Sequence, residues 1–353
     1  MARTIMIMAG GTGGHVFPGL AVADEMRRRG WRVVWLGAPG GMEATLVPQR
    51  GYEMAWVRFA GLRRKGPLAF ALLPMTLLLA FWQATRAIFT HRPDVLLGMG
   101  GYQSFPGGMM AALFGRPLVI HEQNSVAGLA NRVLAGVADR VLCAFEGTLK
   151  NARLTGNPVR TEIAALAAPE RRYTGRTGRT RILVVGGSLG AGVLNETVPE
   201  ALALVAPERR PEVTHQSGAR HFDALTQRYR DAGVSANTVA FIDDMAAAYA
   251  NADVVLCRAG ALTVSELTAA GVASILVPYP HAVDDHQTRN ARQLADAGAA
   301  ILVPQPELTP ERIASRLAEL ARERLCDMAC KARALARPGA TQAVAQNCME
   351  VAG

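Results

Sequence analysis

Residues 4–30 read TIMIMAGGTGGHVFPGLAVADEMRRRG, and residues 181–202 read RILVVGGSLGAGVLNETVPEAL. Each stretch is a short apolar run, a cluster of glycines, and then a longer run with apolar residues at helical spacing. The first predicts a buried strand over Ile5 to Met8, a glycine turn, and a helix ending near Gly30, with RVVWLGAP following as a second strand. Strand, turn, helix and strand within about 35 residues make a βαβ unit, the start of a parallel sheet with helices on its faces. The second stretch restarts the same pattern close to the midpoint of the 353 residues. The chain is therefore read as α/β, with two doubly wound domains of similar size, a division that about 150 residues per domain also suggests. Residues 164–180, rich in Ala, Gly and Arg, are the expected connection.

Working outward, strands are predicted at residues 94–101, 117–124 and 140–145 in the first half. In the second half they are predicted at residues 212–218, 237–243, 252–260, 273–280 and 299–305. The stretch from Pro310 reads as helical, broken at Pro338 and Gly339. Half of the residues are hydrophobic and 19% are charged, which excludes disordered and fibrous classes. Five scattered cysteines without a CxxC pair fit neither a zinc site nor a secreted disulfide scaffold, so a reducing compartment is expected. Cys326 and Cys330, four residues apart, read as packing on a helix face. The apolar run Ile5 to Ala9 is too short for a signal peptide.

The net charge of +9 is focused. No acidic residue lies between Met54 and Pro93, whereas Arg58, Arg63, Arg64, Lys65, Arg86 and Arg92 do, and residues 66–85 carry no charge at all. About 20 uncharged residues are enough for a membrane span, yet Pro74, Thr76 and Gln83 interrupt them and cations flank both ends. A buried core helix is a second reading. A helix lying on an anionic membrane surface accounts for the apolar stretch and the cations together.

Glycine turns after strands bring backbone N–H groups at a helix N-terminus up to an anion, although glycines that merely permit a tight turn explain either one equally well. The first turn lacks the dinucleotide fingerprint: Val16 stands at the third glycine position, and WLGAP offers no acid for a ribose. No D-x-D triplet supports a metal clamp on a sugar diphosphate. His15 is a candidate general base or anion donor, and Glu122, in the HEQN cluster of residues 121–124, is a second candidate base or a turn-forming acid. In CRAGALTVSELTAAG, residues 257–271, loop amides could face a diphosphate and Glu266 a ribose. Thr263-x-x-Glu266 also reads as a capping box that needs no ligand.

The ordered series GGTGGHVFPGLAVA, GMGGY, HEQN, GNPVR, VVGGSLGA, HQSG, FIDDMAAAYANADVVLCRAGALTVSE and VPYPHAVDDHQTRNA resembles the MurG family, bacterial UDP-N-acetylglucosamine transferases of peptidoglycan synthesis, nearly end to end. The resemblance implies a GT-B fold of two Rossmann-like doubly wound domains facing a cleft. Residues 1–163 would form the acceptor and membrane-associating domain and residues 164–337 the UDP-sugar donor domain, with residues 338–353 a helix crossing back to the first. It further implies inverting transfer of N-acetylglucosamine from UDP to the 4-hydroxyl of the muramyl sugar of lipid I, giving lipid II, with no cofactor and no metal. Expected partners are these two substrates, an anionic membrane surface and cell-wall synthesis enzymes, with no nucleic acid. The implied place is the cytoplasmic face of the bacterial inner membrane, peripherally.

By the same resemblance Phe241 and Ile242 would read the uracil, Ser188 would meet phosphate, and Ala261, Leu262, Thr263, Val264 and Ser265 would line the diphosphate. Glu266 would hold the ribose, with Arg160 and Gln287 at the nucleotide and sugar and Asn124 reaching the donor sugar. Thr12, Gly13 and Gly14, counted also with the donor contacts, and Gly100, Gly101 and Tyr102 would face the acceptor diphosphate, with His15 or Glu122 as the catalytic group. Phe105, Ala259 and His286 depart from the family pattern, at the acceptor loop, a phosphate contact and a sugar contact. Competing readings are a UDP-sugar epimerase, an NAD-dependent oxidoreductase and a nucleotide-binding scaffold.

Overall fold

The structure, a computed structural model, describes residues 2–59, 72–187, 190–282 and 285–353. The chain folds as two compact units, Met1–Arg160 with Gly339–Gly353, and Thr161–Pro338.

The first unit is built on a seven-stranded parallel sheet of β1 (Thr4–Met8), β2 (Arg32–Gly37), β3 (Glu53–Trp56), β4 (Val95–Gly98), β5 (Leu118–Glu122), β6 (Arg140–Cys143) and β7 (Arg153–Leu154). The order is β3-β2-β1-β4-β5-β6-β7, with Met8 beside Leu36 on one side and Gly98 on the other. Parallel strands covered on both faces read as unbroken apolar runs, and β1 shows why. Ile5, Ile7 and Ala9 pack with Val16, Leu20 and Ala23 of the helix Gly13–Arg28. Met6 and Met8 point the other way, onto Ala80 and Ala84 of the helix Leu73–His91, Ala111 of the helix Ser104–Leu113, and Leu134. Pro74 lies in the first turn of the helix that begins at Leu73, where a proline has no intrahelical N–H to forfeit, rather than interrupting it.

The last helix, Ala340–Val351, belongs to this unit. Val344, Ala345 and Cys348 enter the same core layer as Ile5 and Ile7, and Arg140 donates to Asn347 (3.1 Å) and Glu350 (2.6 Å). Gly339, at φ 83°, turns the chain into that helix from the left-handed region where glycine carries no penalty.

The second unit repeats the plan in six parallel strands: β8 (Arg181–Val185), β9 (Glu212–Gln216), β10 (Asn237–Val239), β11 (Val254–Cys257), β12 (Ala273–Leu276) and β13 (Ala300–Leu302), ordered β10-β9-β8-β11-β12-β13. Residues 164–180 are not a free connection. The short helix Pro169–Tyr173 packs on the unit, Tyr173 enters its core and donates to the Asp253 carbonyl (2.5 Å), and Arg172 donates to the Ala270 and Gly271 carbonyls. Among the described residues no helix is long and apolar enough to cross a membrane.

Candidate active site

In a doubly wound sheet the strand order reverses between the first and fourth strands, and ligands gather beyond the carboxyl ends at that point. In the first unit this is the gap between β1 and β4, and both glycine clusters lie there, residues 9–12 after β1 and residues 99–103 after β4. The helix after β1 starts at Gly13 with Thr12 as its extended N-cap. His15 and Val16 donate their amides to the Thr12 carbonyl (3.0 and 3.2 Å), so the N–H groups of Gly13 and Gly14 are the first-turn donors left for an anion.

His15 is half-buried, and its Nδ1 lies 3.1 Å from the Gly10 carbonyl oxygen. A carbonyl only accepts, so Nδ1 carries the proton and Nε2 of the neutral ring holds the lone pair. Gly100, at φ 93°, makes room for this ring, since a Cβ there would stand 2.8 Å from His15 Cδ2. Thr12, Gly13, Gly14, His15, Gly100, Gly101 and the half-exposed Tyr102 are thus gathered at one switch point.

Glu122 closes β5, next to β4. It is buried, and its carboxylate accepts from the Asn124 amide (2.9 Å) and Nδ2 (3.2 Å), the Gly128 amide (3.1 Å) and Asn131 Nδ2 (2.8 Å). It clamps the loop that carries Asn124. Behind it His121 Nε2 donates to the Gly156 carbonyl (2.9 Å), and burial holds this imidazole's pKa down to about 4. Arg160 sets its guanidinium over the Phe17 ring, 5.6 Å from the centroid.

In the second unit the switch point lies between β8 and β11. The helix Ala261–Ala270 follows β11, with Gly260 as an extended N-cap and no side-chain capping bond, so Thr263 is already inside the helix and the capping-box reading of Thr263 and Glu266 fails. The Val264 amide donates to the Gly260 carbonyl (2.9 Å), leaving the amides of Ala261, Leu262 and Thr263 as the first-turn donors. The Val264 side chain is buried, and Ser265 Oγ donates to the Ala261 carbonyl (2.9 Å). Glu266, 4% exposed, accepts from the Tyr249 hydroxyl at 3.2 Å.

Phe241 is exposed and Ile242 half-buried in the turn after β10, where Asp244 caps the next helix by accepting from the Ala247 amide (2.9 Å). Gln287 accepts from the Tyr279 amide (2.9 Å) beyond β12. Ser188 lies outside the described residues, as do Arg63, Arg64 and Lys65. Of the departures, Phe105 faces Phe81 with ring centroids 6.0 Å apart, the Ala259 carbonyl accepts from Asn290 Nδ2 (3.2 Å), and His286 opens the helix His286–Ala295.

Two side chains that the sequence does not single out organise these turns. Gln216, buried at the end of β9, donates to the Gly187 carbonyl (3.1 Å) and the Ala240 carbonyl (3.3 Å), tying the glycine turn after β8 to the segment carrying Phe241. Glu43, wholly buried, accepts from the amides of Gly11 (3.1 Å) and Ala38 (3.0 Å) and from Gln103 Nε2 (3.1 Å). Gln216 lies in the HQSG motif; Glu43 lies in no motif.

Residues 5–143 match the glycosyltransferase family 28 N-terminal domain, and residues 181–346 match its C-terminal domain. The chain belongs to glycosyltransferase family 28. Within the family it is 64% identical over 99% of its length to a protein of Aromatoleum aromaticum, 98% of which is covered. It is also 61% identical, over the full length of both chains, to one of Dechloromonas aromatica. Both are named UDP-N-acetylglucosamine–N-acetylmuramyl-(pentapeptide) pyrophosphoryl-undecaprenol N-acetylglucosamine transferase. The crystal structure of Acinetobacter baumannii MurG superposes with a TM-score of 0.85 at 40% identity, covering 99% of each chain. The expected class, two doubly wound parallel α/β domains, is the one this family 28 chain adopts.

Proposed function

We propose that the chain transfers N-acetylglucosamine from UDP-N-acetylglucosamine to the 4-hydroxyl of the muramyl sugar of lipid I, with inversion at the anomeric carbon, to give lipid II. The observation that carries the proposal is the end-to-end likeness, at 64% identity, to a transferase named for that reaction. Inversion needs one in-line displacement, in which a base takes the acceptor proton as the diphosphate departs. His15 suits that base. Its Nδ1 is bonded to the Gly10 carbonyl, which leaves Nε2 as the basic nitrogen of the ring, and Glu122 serves its loop through four hydrogen bonds. The departing UDP takes its negative charge to the amides of Ala261, Leu262 and Thr263 at a helix N-terminus. Glu266 accepts from the ribose hydroxyls, Phe241 and Ile242 flank the base, and Arg160, Asn124 and Gln287 serve the nucleotide and sugar. The first-turn amides of Gly13 and Gly14 and the loop Gly100–Tyr102 receive the acceptor diphosphate. The displacement as written asks nothing of a metal or cofactor.

A lipid-linked acceptor requires access to a membrane surface, and the helix Leu73–His91 supports peripheral binding there. It buries small residues, Ala80, Ala84 and Ala87 with Ile88, and turns its bulky apolar ones outward: Met75 is 69% exposed, Leu78 65% and Trp82 58%. A helix in water orders its faces the other way. Arg86 stacks on Trp82, its guanidinium 5.8 Å from the ring centroid, and sets a cation beside that apolar face.

The test is UDP release from UDP-N-acetylglucosamine with a soluble lipid I analogue, with chelator present and UDP-glucose as the control donor. Release that requires the analogue, survives chelation and is lost with UDP-glucose is expected. Release without any acceptor would turn the reading toward an epimerase or hydrolase.

A further inference from the structure

Glu43 stands at the start of the short helix Glu43–Gln49 with none of its surface exposed, and the backbone around it is shaped to fit. A Cβ on Gly10 would overlap the Glu43 carboxylate and Gln103 Nε2, and one on Gly37 would stand 2.8 Å from Glu43 Cγ. The carboxylate thereby reaches three loops at once: that after β1 through Gly11, that after β2 through Ala38, and that after β4 through Gln103.

The bond to Gly11 bears on the chemistry. The Gly11 N–H and the Gly10 C=O belong to one peptide group, and in a trans peptide they point in opposite directions. One end donates to Glu43 Oε2 at 3.1 Å, and the other accepts from His15 Nδ1 at 3.1 Å. A carboxylate accepting from the N–H polarises the peptide and strengthens its carbonyl as an acceptor, because linked hydrogen bonds reinforce one another in a low dielectric.

We propose that Glu43 is a positioning residue for the transfer reaction, acting on His15 through the Gly10–Gly11 peptide. It orients the ring, fixes the proton on Nδ1 and stabilises the imidazolium that forms when Nε2 takes the acceptor proton. An acid bonded directly to a histidine does this in a catalytic triad; here one peptide group stands between them. The inference rests on His15 being the base. The loop that meets the ring at Gly100 carries Tyr102 as a further titratable group, and Glu43 is the carboxylate bonded to this peptide.

The experiment is Glu43→Gln in the full-length enzyme, read three ways. Transfer should fall about tenfold, the lower end of what is lost with the group hydrogen-bonded behind a metal-ligating histidine, with UDP affinity unchanged. The acid limb of the kcat/KM profile, and the His15 titration followed by NMR on histidine-labelled protein, should both move to lower pH by about 0.5 to 1, because a negative charge that favours the imidazolium is gone. In a His15→Ala background the substitution should cost nothing further. A tenfold loss with the limb and the His15 titration unmoved would reduce Glu43 to loop packing and overturn the relay. If His15→Ala itself left the acid limb in place, the assignment of the base would fall instead. Should Glu43→Gln fail to fold, Glu43→Asp, which keeps the charge but withdraws it from Gly11, should shift the titration in the same direction by less; no shift would again overturn the relay.

Discussion

The two units share a strand order and the same device at the switch point, a glycine turn opening a helix, yet they back that turn with different electrostatics. Behind the turn after β1 stands the Glu43 carboxylate, and behind the turn after β8 the neutral amide of Gln216. A buried negative charge works against a turn that holds a diphosphate, a cost that the proposed acceptor site at Gly13 and Gly14 bears. Behind a turn that seats a base, the same charge raises the base's hold on a proton. On the proposed reading, one fold serves two tasks through the residue placed one layer below the visible motif.

The largest effect should come from separating those tasks. His15→Ala is expected to lower kcat by about 10² to 10⁴, the span usual for a positioned acid–base group, with UDP affinity nearly intact. Glu266→Ala should mainly weaken UDP binding. Isothermal titration with UDP beside steady-state transfer rates separates the two. Loss of UDP binding in His15→Ala would make His15 a donor contact and would overturn its assignment as the base.

The next effect tests whether the units are held together by comparable means. The second unit has a charged anchor far from its site: Asp253, with no exposure, pairs with Arg176 (2.5 Å) and Arg322 (3.3 Å) and accepts from the Arg181 amide (2.9 Å). Removing one member of such a buried cluster strands the others, so Asp253→Ala should cost about 3–5 kcal/mol. All four tryptophans, Trp31, Trp35, Trp56 and Trp82, belong to the first unit. The urea transition seen by tryptophan fluorescence should therefore stay in place while that seen by far-UV circular dichroism moves to lower denaturant. Equal movement of both would show that the units unfold as one.

How much of this could be read in the sequence follows from where each partner lies. The strands β1, β4, β5, β8, β11 and β12 are buried on both faces and appear as apolar runs, so the two sheets were legible. The strand β3 was not, because at the sheet edge Glu53–Trp56 buries fully only Ala55, and β7 has just two residues, too few to show a period. The glycine turns could be read because their chemistry is in the turn itself. Glu43 and Gln216 could not, since they act on backbone groups remote in the chain, which leave no pattern of side chains. Thr263 misled for a related reason: it matches a capping pattern, but the helix starts at Ala261 and needs no side-chain cap. The helix Leu73–His91 was legible as an apolar, cation-flanked stretch, but which face it buries was not, because alanines face inward and large apolar residues outward, the reverse of the usual order.

The smallest effect concerns acid, and here the units should differ in degree. Each buries a histidine in its neutral form beside the sheet: His121 in the first, held down to about 4 mainly by burial, and His215 in the second, held down to about 3 by the same cause. In the unfolded chain both titrate near 6.5. Below that value the unfolded state binds protons that the folded state refuses, so the stability that neutral burial provides is complete above pH 6.5 and drains away as pH falls toward the folded value. By pH 5 each unit should have lost about 1–2 kcal/mol from its histidine. Below pH 4 the loss levels off for the first unit and continues to about pH 3 for the second. His215 is the harder to protonate because its Nδ1 faces only the Tyr229 hydroxyl (2.9 Å), whereas the peptide carbonyl on His121 Nε2 and the nearby Glu122 favour the imidazolium somewhat. Urea midpoints across pH 7 to 3.5, followed by tryptophan fluorescence for the first unit and by circular dichroism for both, measure the two slopes. His215→Gln should flatten only the part that fluorescence does not see. A slope unchanged by that substitution would show that His215 does not carry the second unit's acid sensitivity.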